Sequence, residues 1–263
     1  MEEELDFEGF EQERLVKSTQ RVRDLGEVFT PSNIVDNMLD LLPEEIWQIH
    51  PSRTFLEPSV GNGNFVSAIL SRKLALIDEA MSNGLLPAGK TLEAAQFHAL
   101  EALSSIYGVD ISEDNIIGGT PAHEIACRPR LLTLMKRWCE RYLGDTSVIP
   151  SEFLKSAKWI ANHNMIIGNM LDFDAYGDRV DRSKILLSEY KWSPQSRWVQ
   201  IFSTTMDDVI QSEKEGSDGT FALFGPEAPS LLWEGPAQNL HQARNYAILT
   251  LEGQAVTNTK VRP

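Results

Sequence analysis

Two glycines one residue apart sit where an apolar run gives way to a helical pattern, in Phe55-Leu56-Glu57-Pro58-Ser59-Val60-Gly61-Asn62-Gly63-Asn64-Phe65. Glycine serves where φ is positive or where the backbone must touch a ligand closely. The first strand-to-helix turn of an open α/β sheet is where such a ligand lies. A plain tight turn would use the same two residues, so the glycines alone leave both readings open. Glu57 narrows the choice. A carboxylate at the mouth of the turn repels a pyrophosphate, and Phe65-Val66 stand where the dinucleotide fingerprint has its third glycine. An acid there suits a cation. The sulfonium and ammonium of S-adenosylmethionine fit, and a dinucleotide fits poorly.

Two further positions extend this chemistry. Asp110 ends Ile106-Tyr107-Gly108-Val109-Asp110, a buried-strand pattern, and is placed to accept hydrogen bonds from both ribose hydroxyls of a nucleoside. It comes well beyond the roughly 20 residues that separate glycines from acid in a dinucleotide fold, so an added helix over 91–105 must occupy the crossover. A solvated Asp capping a helix near Ser112 is the competing reading. Asn169 follows Met165-Ile166-Ile167-Gly168 and can pair with an adenine edge while Met170 packs on the ring. A turn Asn after a Gly is the alternative.

The elements that must hold these residues follow from periodicity. Ile34, Val35, Met38, Leu39 and Leu42 mark one face of a helix over 31–42, with Pro31 in its first turn. Strands are expected at 54–56, 106–110 and 165–169, and helices at 65–81, 128–142 and 151–161. Alternating stretches at 184–192 and 197–203 flank Ser193-Pro194-Gln195-Ser196 as a hairpin, and a short helix is expected at 205–211. Strands alternating with helices predict an α/β fold with a doubly wound, mainly parallel sheet, with the hairpin near its C-terminal edge. Residues 1–24 form an acidic-then-basic helical arm, 25–211 the main domain, and 212–263 an irregular, partly disordered acidic tail with a possible helix at 240–250.

The chain has 263 residues, 38 acidic and 24 basic side chains, and a formal charge of −14. One domain of ordinary globular composition fits that length. The acidic excess argues against a wide grip on nucleic acid by this chain alone. No run reaches the roughly 18 apolar residues of a membrane span. Cys127 and Cys139 have no ligand-spaced partners, which predicts two reduced structural thiols, no zinc site and a cytoplasmic protein. The five histidines are scattered and form neither a hydrolytic triad nor an HExxH motif. His98 is expected on a helix surface.

Together, Gly26-Glu27-Val28-Phe29-Thr30-Pro31, the Glu57 to Phe65 segment, Ile106 to Ile111 and Ile166-Ile167-Gly168-Asn169-Met170-Leu171 resemble the amino-terminal half of S-adenosylmethionine-dependent DNA adenine-N6 methyltransferases of the restriction–modification type. The likeness covers roughly 24–175. It implies a Rossmann-like methyltransferase fold, S-adenosylmethionine as cofactor, DNA as substrate and methyl transfer to adenine. By the resemblance, Thr30 and Pro31 border the methionine part, and Glu57, beside Pro58, faces its amino group. Gly61 and Gly63 admit the backbone ahead of Phe65. Asp110, followed by Ile111, binds the ribose, while Asn169 and Met170 take the adenine.

One segment of the family pattern is missing. The family's catalytic segment is [DNS]-P-P-[YFW], which accepts hydrogen bonds from the target amine and stacks on the flipped base. None of the 13 prolines here is adjacent to another. Trp192-Ser193-Pro194 has the residue types in another order, and Ser188-Glu189-Tyr190 can face a pocket or simply alternate in a strand. A target-recognition domain is not expected in the residues that remain. Arg128, Arg130, Lys136, Arg137 and Arg141 form the main basic patch, which can touch a phosphate backbone or be a solvated face. Trp192 and Trp198 can stack a base or pack across the hairpin. Two functions stay open: DNA methyl transfer, with a partner protein supplying missing parts, or an inactive subunit or decoy that binds cofactor or a protein partner.

Overall fold

A computed structural model describes residues 18–25, 27–49, 53–87, 89–118, 126–143, 148–172, 174–175, 185–207, 209, 230–243, 248–249 and 255–256. The amino-terminal arm is helical over Thr19–Leu25 (α1), and Pro31 caps Ser32–Leu39 (α2), which buries Val35 and Leu39. Phe55–Glu57 is β1, and Asn64–Asn83 is α3, ended by Gly84 in the left-handed region (φ 70°). Thr91 caps Leu92–Ser104 (α4), its side chain accepting from the Ala94 amide, before Ile106–Asp110 (β2) and the short Glu113–Ile116 (α5). Cys127–Leu143 (α6) and Ser151–Asn164 (α7) lead to Met165–Asn169 (β3) and Asp174–Ala175 (β4). Leu186–Ser193 (β5), Trp198–Thr205 (β6) and Ser230–Pro236 (β7) follow, then Ile248–Leu249 (β8) and Ala255–Val256 (β9).

The architecture is mixed α/β. One sheet has the order β1-β2-β3-β4, parallel from β1 to β3 and antiparallel at β4. A second, antiparallel sheet has the order β5-β6-β7, and β8 and β9 pair as a separate ladder. β2 lies between two neighbours and is buried throughout, as an interior parallel strand should be. Its side chains alternate between two cores. Ile106 joins the large cluster built with α3, α4, α6 and α7, whereas Tyr107 and Val109 join Ile185, Leu187, Met206 and Val209. Gly108 is bare because a Cβ there would lie 2.8 Å from Val60 Cγ2. Among the described strands β1 is an edge, and its Leu56 is 43% exposed.

Several expectations change. The segment taken as tail contributes β7, which pairs with β6, and a 3-10 helix at Ala237–Gln242 that buries Ala237 and Leu240. Of the helix expected at 240–250, the 3-10 helix covers the start as far as Gln242, and Ile248–Leu249 is strand. Of the helix expected at 205–211, Thr205 ends β6 and Met206, Asp207 and Val209 are helical; the remainder, with 1–17 of the arm and 212–229, 244–247, 250–254 and 257–263 of the tail, lies outside the described residues. His98 is buried, with Nδ1 2.9 Å from Glu101 Oε2 and Nε2 3.0 Å from the Pro87 carbonyl. No described helix is long and apolar enough to cross a membrane.

The basic residues of α6 divide: Arg128 and Arg130 are held within the molecule, whereas Lys136, Arg137 and Arg141 stay exposed. Arg128 is 8% exposed and donates to the carbonyls of Met165 (3.0 Å) and Asn162 (2.9 Å), which removes it from any phosphate-contacting patch. Burial brings its guanidinium down to about 10, still charged at neutral pH. Arg130 donates to Asn64 Oδ1, Arg141 to Asp78 at 2.8 Å, and Lys136 lies 3.7 Å from Glu140. Arg128→Leu should therefore lower unfolding free energy by about 2–4 kcal/mol, since charged hydrogen bonds are lost and two carbonyls orphaned. Chemical denaturation checks this, and a loss below about 1 kcal/mol would contradict it.

Candidate functional site

At the carboxyl ends of β1 and β2 the chain opens into a cleft of about 250 Å³. Val60 N donates to the Val109 carbonyl at 2.9 Å, which draws the turn after β1 across the end of β2. Gly61 has φ 55° and Gly63 φ 90°, both left-handed. A Cβ on Gly61 would meet the Phe29 ring at 3.2 Å, and one on Gly63 would meet Cys127 Sγ at 2.9 Å. The two glycines thus serve packing as well as conformation. Burial pushes the Cys127 thiol up to about 12, so it is an inert wall.

Asp110 is the keystone. It is 7% exposed, and its Oδ2 accepts from Gly61 N at 2.8 Å. Its Oδ1 accepts from Ser112 N at 2.8 Å and from Asn115 Nδ2 at 3.2 Å. The carboxylate ties the glycine turn to the start of α5 and still has room for one more donor, since a carboxylate offers about four sites. Asp110 is buried rather than the solvated cap of the competing reading; it organises the turn before α5 and lines the cleft.

Glu57 stands at the mouth. Its Oε1 accepts from Ser59 N at 3.1 Å, and burial raises its pKa above the ordinary carboxylate value. The amino-terminal segment forms the other wall through Val28, Phe29 and Thr30. Asn64 ties the two motifs together, donating to the Thr30 carbonyl at 2.7 Å while Arg130 donates to it. Glu27 is held by Arg21 (Nε to Oε1, 2.9 Å) and accepts from Asn115 Nδ2 at 3.1 Å. Arg21 also reaches Asp114 at 3.1 Å, so α1 is tethered beside the cleft.

The structure brings together most of the residues read from the sequence. Thr30, Glu57, Gly61, Phe65, Asp110 and Ile111 line the cleft. Pro31, Pro58 and Gly63 shape its segments without lining it. Asn169 and Met170 also lie outside the lining. Asn169 closes its own turn, donating to Asp172 Oδ2 at 2.8 Å and accepting from Leu171 N at 3.0 Å, and Met170 packs against the Tyr107 cluster. The turn reading of Asn169 is the one its hydrogen bonds show. Trp192 donates to Ser104 Oγ at 2.9 Å and stacks edge-on against Phe97, so Trp192-Ser193-Pro194 is no substitute catalytic segment. Ser188 is buried and Tyr190 donates to Asn164 Oδ1 at 2.8 Å.

Glu27, Asn64 and Asn115 are polar cleft residues, among others of the lining, that sequence reasoning left without a role. The first two stand inside quoted motifs; Asn115 pairs with nearby Asp110, but its second partner, Glu27, is brought to it only by folding.

The lining carries carboxylates from Glu27, Glu57 and Asp110 and no lysine, arginine or histidine among the described residues. It favours a ligand rich in hydrogen-bond donors and positive charge, and it disfavours phosphate. No group of three His, Cys, Asp or Glu side chains arranged for a metal is found among the described residues. No protein-family model matches the chain, and neither does any curated protein or solved structure.

Proposed function

We propose that this protein binds S-adenosylmethionine at the turn after β1 and belongs to the DNA adenine-N6 methyltransferase type, acting in methyl transfer to DNA. The reading is supported chiefly by one observation. Three segments distant in sequence, Glu27–Thr30, Glu57–Phe65 and Asp110–Asn115, converge on a single cleft rich in acceptors, with no cationic side chain among its described lining residues. The donor chemistry of the cofactor fits. Its ammonium and sulfonium are cations, its ribose has two hydroxyl donors, and it has no phosphate for Glu57 to repel.

In this reading Glu57 offers a carboxylate to the ammonium. Gly61, bare and left-handed, lets the backbone approach, while Asp110 accepts from the ribose and holds the turn rigid. Phe29 and Phe65 supply apolar walls that exclude water. When bound, the cofactor supplies the activated methyl group. A Rossmann-like, doubly wound sheet would place the ligand at a switch point with strands on both sides of β1.

A second reading is a cofactor-binding subunit that does not itself methylate DNA, or is completed by a protein partner. Two observations favour it. β1 is an edge among the described strands, and the chain contains no adjacent proline pair. Transfer of tritiated methyl from S-adenosylmethionine to duplex DNA separates the readings. Incorporation by the wild type that disappears in Gly61→Val supports transfer. Cofactor binding without incorporation supports the subunit.

A further inference from the structure

A second cavity, of about 340 Å³, opens beside the tip of the β5–β6 hairpin and shares no lining residue with the cleft. The start of α4, Phe153 of α7 and the end of β7 complete its walls. Phe97, Leu100 and Phe153 are buried, whereas Trp198 is 43% exposed, so an apolar floor lies below an aromatic rim. An apolar floor with a few placed polar groups, in a volume above about 300 Å³, is the make-up of a small-molecule site. Two opposite charges mark the mouth. Arg197 Nη1 lies 3.0 Å from Glu93 Oε2, with side chains 38% and 73% exposed. An exposed pair of this kind contributes little to stability and is readily exchanged. Among the described residues Arg197 is also the one non-glycine with a left-handed backbone, at φ 56°. A Cβ disfavours that conformation, so the turn itself calls for glycine and not for a guanidinium. The Arg197 carbonyl accepts from Ala237 N at 2.9 Å, which fixes the residue against the opposite wall.

We propose that this cavity binds a free aromatic α-amino acid, its ring on the Phe97, Leu100 and Phe153 floor and its head group between Arg197 and Glu93. An α-amino acid carries an ammonium and a carboxylate on one carbon, so it can divide the existing ion pair. Arg197 takes the carboxylate in its two-pronged fork, and Glu93 takes the ammonium. A lone anion or a lone cation satisfies one partner and leaves the other without its counter-charge. A neutral nucleobase uses neither charge. The site uses no residue of the cleft, so it does not depend on the cofactor reading.

The test is calorimetric titration of the full chain with L-tryptophan, tryptamine, indole-3-propionate and L-alanine. Wild type should bind L-tryptophan saturably. Tryptamine and indole-3-propionate should each bind about tenfold more weakly, as for a lost hydrogen bond to a charged group. L-Alanine, which has the head group without a ring, should give no saturable heat. Glycine suits the backbone at 197 and Glu93 is exposed, so Arg197→Gly and Glu93→Gln should both stay folded, which thermal melting checks. Arg197→Gly should erase the advantage of L-tryptophan over tryptamine, and Glu93→Gln its advantage over indole-3-propionate. A wild type that does not bind L-tryptophan overturns the proposal, and that arm needs no variant. Equal affinity for the three indoles, L-alanine binding as tightly as L-tryptophan, or discrimination that both variants keep overturns it as well. None of these results bears on S-adenosylmethionine, whose binding the two variants should retain.

Discussion

Asp110→Ala should lower the unfolding free energy by about 2–4 kcal/mol and weaken S-adenosylmethionine binding by at least about 100-fold. The stability loss comes from Gly61 N and Ser112 N, which lose their acceptor together with Asn115 Nδ2. An unsatisfied donor costs about 1–3 kcal/mol when buried, less where water can reach it. The binding loss is larger because Gly61 is then free to leave the position that opens the cleft. Asp110→Asn should behave more like alanine than like wild type, since its amino group must oppose at least one donor. Denaturation and titration on the same preparations check both effects. An Asp110→Ala protein that melts and binds like wild type would remove Asp110 from this role.

Glu57→Gln should act in opposite directions on stability and on binding. Burial raises the Glu57 pKa in the folded chain, so the folded state holds that proton more tightly than the unfolded state. Its contribution to stability is complete below the unfolded value and is lost as pH rises through the folded one. At neutral pH the charged, half-buried carboxylate therefore opposes folding, and glutamine, which can keep the Ser59 N contact, should raise the melting temperature. Near pH 4 the two proteins should melt alike. Binding follows the reverse sign. A cation gains from the ionised form, so wild-type affinity should increase with pH from the ordinary carboxylate range upward, and Glu57→Gln should flatten that profile. At pH 7 the variant should bind about 10- to 100-fold more weakly, the range for hydrogen bonds to charged groups. A variant less stable than wild type, or one with unchanged affinity, would contradict this role.

Local signals carried the first half of the fold well. The end of α3 at Gly84, the cap at Thr91, the buried β2 ending in Asp110 and the β5–β6 hairpin each depend on residues near in sequence. The third strand of the second sheet did not announce itself, because β7 pairs with β6 across a stretch of glycine, proline and acid that breaks every period. Arg128 shows the limit of amphipathic reasoning. Its place beside four other bases suggests a solvated face, yet it lies on the side of α6 turned toward β3, where it donates hydrogen bonds to the Met165 and Asn162 carbonyls.

The site was legible in part for the same reason. Glu57, Gly61 and Asp110 belong to strand ends and turns, whose geometry is local, and they meet as the parallel pairing of β1 with β2 requires. Asn169 has the same kind of position but spends its amide on Asp172. Asn115 was invisible because its two carboxylate partners come from different segments.

The most direct test of the account is calorimetric titration of the full chain with S-adenosylmethionine and, separately, with NAD. The account predicts saturable one-to-one binding of S-adenosylmethionine that Gly61→Val abolishes, and no heat from NAD. Saturable binding of NAD, or no binding of S-adenosylmethionine, would contradict it.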